Sequence, residues 1–292
     1  MRRREFIGSL IGTAIAWPFA VRAQQVDKIW RIGMLDTASL ELNATNLAAF
    51  RKGLREFGYV EGENLVIEYR TAEGHSERRP NLVSELLRLN VDVIVVRGTP
   101  EVMAVKNATS TMPVVMTAVA DPVGSGVVAN LPHPGGNITG LSSFSTELDS
   151  KRFQFLTELV PGMKRAWSLD DIRNPANAGD FEEMQKAARA LGIEVQRFDP
   201  RNIPDLDRAF EVALREQVLD AIRVPVDSVT RSYEQLIVEL AAKHKLPAIY
   251  AAREFIDKGG LMSYGVSYPD LYFRAASYVN KIFKGVKPGD IN

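Results

Sequence analysis

The sequence predicts an α/β protein of two lobes, each built on a doubly wound parallel sheet. Three features carry that prediction. Strand-length apolar runs alternate with amphipathic helical patterns from Trp30 onward. The run "VDVIVVRG" (Val91–Gly98) is almost continuously β-branched or apolar, as expected for a strand covered on both faces. The same alternation then repeats in the second half, so two similar lobes follow, joined by short crossing segments rather than by a low-complexity tether.

Each element has its own signal. "WRIGMLDT" reads as the first buried strand. "NLAAFRKGLREFGY" puts Leu47, Phe50, Leu54 and Phe57 on one helical face. "NLVIEYR" is the next strand and "RRPNLVSELLRLN" the next helix. After "VDVIVVRG" comes "PEVMAVKNATS", a helix with Pro100 in its first turn. "PVVMTAV" completes a βαβαβαβ order. In the second half "LDSKRFQFLTELVPG" is a helix stopped by Pro161 and Gly162, and "RAWSLDD" is a strand. "DFEEMQKAARALG" is a helix with Gly192 as its stop. "IEVQRFD" (strand), "DLDRAFEVALREQ" (helix), "LDAIRVPVD" (strand) and "SYEQLIVELAAKHK" (helix) follow. "LPAIYAA" is a strand, "GGLMSYGVS" a short strand or turn, and "DLYFRAASYVNKIFKG" a closing helix. The expected division is 27–144 plus 247–292 for the first lobe and 145–246 for the second.

With 292 residues and 46% hydrophobic content the chain can bury a sizeable core. Its 36 basic and 36 acidic residues leave no surplus that would point to nucleic acid or an anionic membrane. The absence of cysteine excludes thiol chemistry, disulfides and cysteine-ligated metals. The opening "MRRREFIGSLIGTAIAWPFAVRAQQ" has a basic start, an apolar stretch and a small-residue exit near Ala23, the layout of a secretory signal over residues 1–23. Arg3-Arg4-Glu5-Phe6-Ile7 resembles a twin-arginine signal. Arg2 stands where that pattern has Ser or Thr, which leaves the general secretory route open. Cleavage would remove Arg2, Arg3, Arg4, Arg22 and Glu5, leaving a soluble, mildly acidic, periplasmic chain from about Gln24.

Enzymatic signatures are missing. His75, His133 and His244 are the three histidines, none spaced as a metal ligand pair. No G-x-S-x-G elbow occurs, since "GLMSYG" has Leu261 where the first glycine belongs. No Walker-type phosphate loop occurs either. No cofactor is expected. That bears on "DPVGSGVVANLPHPGGNITGLS" (Asp121–Ser142), with five glycines and three prolines after a strand. It could be a phosphate cradle, a catalytic loop or the rim of a ligand cleft, and the first two lack their motifs.

Ligands of open α/β sheets bind beyond the carboxyl ends of the strands. Three such ends carry small polar residues: "DTASLE" with Thr37, "RGTPE" with Gly98 and Thr99, and "VADPVGSG" with Asp121 and Ser125. A helix opening at Gly98-Thr99 would suit a carboxylate, although Thr99 could simply cap its own helix. Asp121 could hold a cationic amine, or cap a turn. Ser125 could donate to an anion.

At these residues the chain resembles a known family. "RGTPEVMAVKNATSTMPVVMTAVADPVGSGVVANLPHPGGNITGLSSFSTELDSKRFQFLTELVPG" looks like the signature region of ABC transporter substrate-binding proteins that include tryptophan- and tyrosine-binding members. "LAAKHKLPAIYAAREFIDKGGLMSYGVSYPDLYFRAASYVNKIFKGVKPGD" resembles the family's later segment. The resemblance implies a type I periplasmic-binding-protein fold, two lobes closing on a ligand at a hinge, and an ABC permease as partner, with the binding protein acting as a monomer. It places pocket residues at "GTP" (Gly98–Pro100), at Asp121 and in "NPAN" (Asn174–Asn177), and hinge-side segments at "REF" with Glu254 and "SYG" with Tyr264. Asp227, after "AIRVPV", stands at another strand end. Asp227 and Glu254 could equally be surface carboxylates, and Tyr250 and Tyr264 could stack on a ligand or fill the hinge core.

The chain departs from the family pattern at Asp170 and Asp171, which stand in an apolar run, and at Arg223, which interrupts "AIRVPV". It ends at "KPGDIN", where the family continues through a further strand and helix; if that tail completes the second lobe, an exposed sheet edge is expected. The leading expectation is an importer's solute-binding protein for an amino-acid-like or carboxylate-bearing ligand. A ligand sensor feeding a signalling partner, a secreted enzyme, or a relative that has lost binding are the alternatives.

Overall fold

The computed structural model describes residues 28–145, 147–172, 176–199, 203–215 and 219–291. The proposed leader and Asn174 lie outside them. In the first lobe β1 (Trp30–Asp36), α1 (Ala44–Glu56), β2 (Leu65–Thr71), α2 (Arg79–Arg88), β3 (Val93–Arg97), α3 (Thr99–Ala108), β4 (Val114–Val119) and β5 (Ile138–Ser142) succeed one another. The second contains α4 (Asp149–Leu159), β6 (Arg165–Leu169), α5 (Ala176–Ala190), β7 (Glu194–Phe198), α6 (Ile203–Arg215), β8 (Ala221–Val224), α7 (Ser228–Ser232), α8 (Glu234–Lys243), β9 (Ala248–Tyr250) and β10 (Met262–Ser263). The last helix is α9 (Tyr268–Phe283).

Both sheets are parallel and five-stranded, ordered β2-β1-β3-β4-β5 and β7-β6-β8-β9-β10. They share one winding, which reverses between β1 and β3 and between β6 and β8. Those two reversal points are where an α/β sheet leaves a crevice beyond its strand ends. The central strands β3 and β4 are buried along their whole length, as their largely apolar sequences require.

Three predicted boundaries move. "ITGLS", the end of the glycine-rich stretch, is not loop but the fifth strand, paired with β4. The helix expected over "SYEQLIVELAAKHK" is α8, and a short helix that the sequence reading lacks, α7, runs just ahead of it, the two meeting at Tyr233. The assignment of 247–292 to the first lobe is corrected. Ala248–Tyr250 registers against Ile222–Val224, and β10 extends that same sheet, so the chain returns only between Tyr264 and Tyr268.

The return is anchored by α9 packing along α1. Gly53 makes the approach possible: a Cβ there would lie 2.5 Å from the Phe273 carbonyl oxygen and 2.9 Å from Ala276 Cβ. Phe50, Leu54, Ala275, Ala276 and Val279 fill this seam without exposure. Trp30 stacks on Phe283 with ring centroids 4.0 Å apart.

Candidate functional site

The two reversal points face each other across one cleft with about 650 Å³ of empty space, part of it continuous with solvent. The first lobe contributes Thr37 after β1, and Arg97, Gly98, Thr99 and Glu101 from the end of β3 and the start of α3. The second contributes Asp170 after β6, and Arg223, Asp227 and Ser228 around the end of β8. Tyr268 closes one end, and Phe181 and Met184 of α5 form an apolar wall.

On the first-lobe wall, Gly98 sits at φ 95°, where a side chain is strained. A Cβ there would also collide with Glu101 Oε2 and lie 2.8 Å from Thr37 Cγ2. Glu101 is fully buried. Its Oε1 accepts from Arg79 Nε (2.8 Å) and Ser228 Oγ (2.9 Å), while Oε2 has no hydrogen-bond partner among the described residues. Arg97 is 2% exposed and lies 4.2 Å over the Tyr268 ring. Its Nη1 donates to Asn43 Oδ1 at 3.4 Å, and its Nη2, 3.9 Å from Glu254 Oε1, donates to no described residue. Burial alone would lower the Arg97 pKa, but Tyr272, Asp36, Tyr268 and Glu254 more than reverse this and hold it charged.

On the second-lobe wall, Arg223 organises the floor. Its Nε and Nη2 donate to Asp149 Oδ1 (3.0 Å) and Oδ2 (2.8 Å), and its Nη1 to Asp170 Oδ1 (3.0 Å) and Ser168 Oγ (3.1 Å). Asp149 also accepts from Arg152 Nη1 at 2.7 Å. Arg152 in turn donates to the Ser145 carbonyl (2.7 Å) and the Tyr264 carbonyl (2.8 Å), one on each segment crossing between the lobes. Burial raises the Asp170 pKa, opposed by Arg223. Asp170 Oδ2 makes no hydrogen bond to a described residue, and Arg197 Nε stands 3.8 Å away. Asp227 caps α7: its Oδ1 accepts from the Val229 (2.9 Å) and Thr230 (2.8 Å) amides, and Thr230 reciprocates. Burial, with Asp171 adding to it, pushes the Asp227 pKa up to about 7 despite those donors.

The lobes touch beside the cleft. Ser228 reaches Glu101 and accepts from Arg79 Nη2 at 3.3 Å, and Arg231 Nη2 donates to the Leu42 carbonyl at 3.0 Å.

Of the residues singled out from sequence, Thr37, Gly98, Thr99 and Asp227 line this cleft. Asp121 and Ser125 do not. Asp121 Oδ1 accepts the Gly124 amide at 2.8 Å, and Ser125 Oγ donates to the Asp121 carbonyl, so both fold the turn after β4. The glycine-rich stretch connects β4 to β5, with Val127 and Val128 plugged into the core. Glu254 and Tyr264 line a separate groove beside the return segment, with Asn46 and Ser267. Tyr264 meets Phe155 edge-on at 5.1 Å, and Tyr250 is buried against Phe255. Sequence reasoning missed Arg97, Glu101 and Tyr268, and took Asp170 and Arg223 as interruptions. Charged residues inside predicted buried strand ends were the available signal.

The chain matches the profile of the ABC transporter substrate binding protein family over residues 38–292. It belongs to that family. A substrate-binding protein of an ABC transporter is a binder, so the chain is not an enzyme. A tyrosine-binding protein of Clostridioides difficile (strain R20291) is 26% identical over 242 residues, which are 83% of this chain and 69% of that one. The structure of an ABC domain in complex with L-Trp from Streptococcus pneumonia has a TM-score of 0.80 at 26% identity, covering 90% of this chain and 87% of that chain. A conserved domain protein from Vibrio cholerae O1 biovar El Tor str. N16961 reaches a TM-score of 0.83 at 27% identity, covering 91% and 88%. The fold of this substrate-binding protein is the type I periplasmic-binding-protein fold.

Proposed function

We propose that this protein is the periplasmic solute-binding component of an ABC importer, holding a small amino-acid-like or carboxylate-bearing ligand in the interlobe cleft. The observation that carries the reading is the convergence of charged groups from the reversal points of both sheets on one cleft. Relatives named for tyrosine or solved with L-Trp support an amino-acid class of ligand. Ligand-driven closure about the segments near Ser145 and Tyr264 would present a closed form to the membrane permease. The leader pattern in residues 1–23 supports export to the periplasm, and among the described residues no helix is long and apolar enough to cross a membrane. Arg97 is the anchor for the carboxylate in this reading, because the start of α3 already holds the buried carboxylate of Glu101.

A thermal-shift screen of the purified chain against amino acids, small carboxylates, amides and aromatics tests this. A ligand that binds only the folded state must raise the melting midpoint. A cooperative melt unmoved by every compound would count against the binding role.

A further inference from the structure

We propose that the ligand of this cleft is a compact amino acid bearing a second cationic group, a diamino carboxylic acid, and not an aromatic one. The inference rests on the binding role proposed above. Its starting point is a set of buried polar atoms that line the cleft and lack hydrogen-bond partners among the described residues: Thr37 Oγ1, Arg97 Nη2, Glu101 Oε2 and Asp170 Oδ2. Their residues are each at least nine-tenths buried. Buried polar atoms are ordinarily satisfied, so a cluster of exceptions in one cleft describes the ligand's own hydrogen-bonding pattern.

That pattern is specific in sign. An ionised carboxylate oxygen only accepts, and a guanidinium nitrogen only donates. The cleft therefore asks for an acceptor at Arg97 and for donors at Glu101 and Asp170. These two carboxylates belong to different lobes, and Asp227 adds a third to the same lining. Glu101 and Asp170 each have an arginine on one oxygen, Arg79 and Arg223, so what their second oxygens lack is a hydrogen-bond donor, which a ligand ammonium supplies. A single α-ammonium leaves one of the two walls without a donor of its own, whereas an α-ammonium and a side-chain ammonium supply both.

The aromatic alternative finds little here. The lining has two aromatic rings. Tyr268 carries the Arg97 guanidinium at 4.2 Å, and Phe181 carries that of Arg197 at 4.0 Å, so each already has a cation on one face. Asp170 is the specificity residue in this account, and Arg223 positions it by holding the other carboxylate oxygen at 3.0 Å.

Calorimetric titration with L-ornithine, L-norvaline and L-tryptophan decides the matter, because the first two differ only in the terminal amine. L-Ornithine should bind at least about tenfold tighter than L-norvaline, and Asp170→Asn should remove most of that preference. If Asp170→Asn does not fold, as judged by its melt, Glu101→Gln takes its place alongside the parent comparison. Equal binding of ornithine and norvaline, or tighter binding of tryptophan, overturns the inference while the binding role stands. A full ornithine preference in a folded Asp170→Asn protein overturns the assignment to Asp170. Binding of none of the three overturns the inference, and the broader melting screen then decides the binding role separately.

Discussion

At Asp227 two demands fall on one carboxylate. It caps α7 through two backbone amides, yet it is buried beside Asp171 and within reach of Asp170, and its pKa rises to about 7. The folded chain therefore keeps this proton to higher pH than the unfolded chain, where the group titrates near 3.8. Its contribution to stability is complete below the unfolded value and is lost as pH rises through about 7. Asparagine caps a helix about as well as aspartate. Relative to Asp227→Asn, the parent should be more stable at pH 5 than at pH 8, by at most about 3 kcal/mol in urea melts. A stability difference that is flat across that range, or that grows with pH, would refute the burial argument. Gly98 makes a second claim at this scale. Gly98→Ala places a Cβ against Glu101 and Thr37 at a left-handed φ, and should cost about 1–3 kcal/mol by the same melts. The site residues legible in the sequence, Thr37, Gly98, Thr99 and Asp227, are those dictated by strand ends. Asp121 looked similar because Asp-Pro-Val-Gly is equally rich in polar and glycine character, but its carboxylate is satisfied three residues away, within the turn.

Among elements, β8 and α4 are coupled by charge. Arg223 and Asp149 are 74 residues apart in sequence and form a two-bond pair in the second lobe. Removing the cation by Arg223→Met leaves Asp149 and Asp170 buried with less compensation. The expected loss is about 3–5 kcal/mol of unfolding free energy, measured in denaturant. Asp170→Asn combined with Arg223→Met should recover part of it, since Asp170 is then neutral and Asp149 keeps Arg152 as its partner. A double variant no more stable than Arg223→Met would argue against direct pairing. This pair also explains a limit of reading the sequence. Strands β3 and β4 declared themselves through largely apolar runs, which need no partner to be recognised. Arg223 looked like an interruption because its counter-ion lies on a distant helix that no local pattern connects to it. Strand β5 was missed for a related reason: "ITGLS" is short and contains Gly140, and only the ladder to β4 makes it a strand.

For the whole molecule, the contact of Ser228 with Glu101 and Arg79 ties one lobe to the other beside the cleft. Ser228→Ala removes that tie without adding bulk. The ligand-free protein should then have a larger radius of gyration in small-angle scattering, and an unchanged radius would mean the contact does not hold the lobes together. The two-lobed plan itself was legible, because each half repeats one alternation of strands and helices. The path of the chain between lobes was not. β9 carries the same kind of apolar run whichever sheet it joins, and its pairing with β8 is a tertiary choice.

Arg152 gives this plan a mechanical consequence. One guanidinium grips the carbonyls of Ser145 and Tyr264, so the two bridging strips are pinned to a common point inside the second lobe. Strips pinned this way cannot flex independently, and sideways shear of one lobe past the other would have to tear two charge-assisted bonds. If the lobes close as proposed, they would be left with something close to a single swing, like a door on one pin. The aim of that swing would then be set by a side chain that lines neither wall of the cleft.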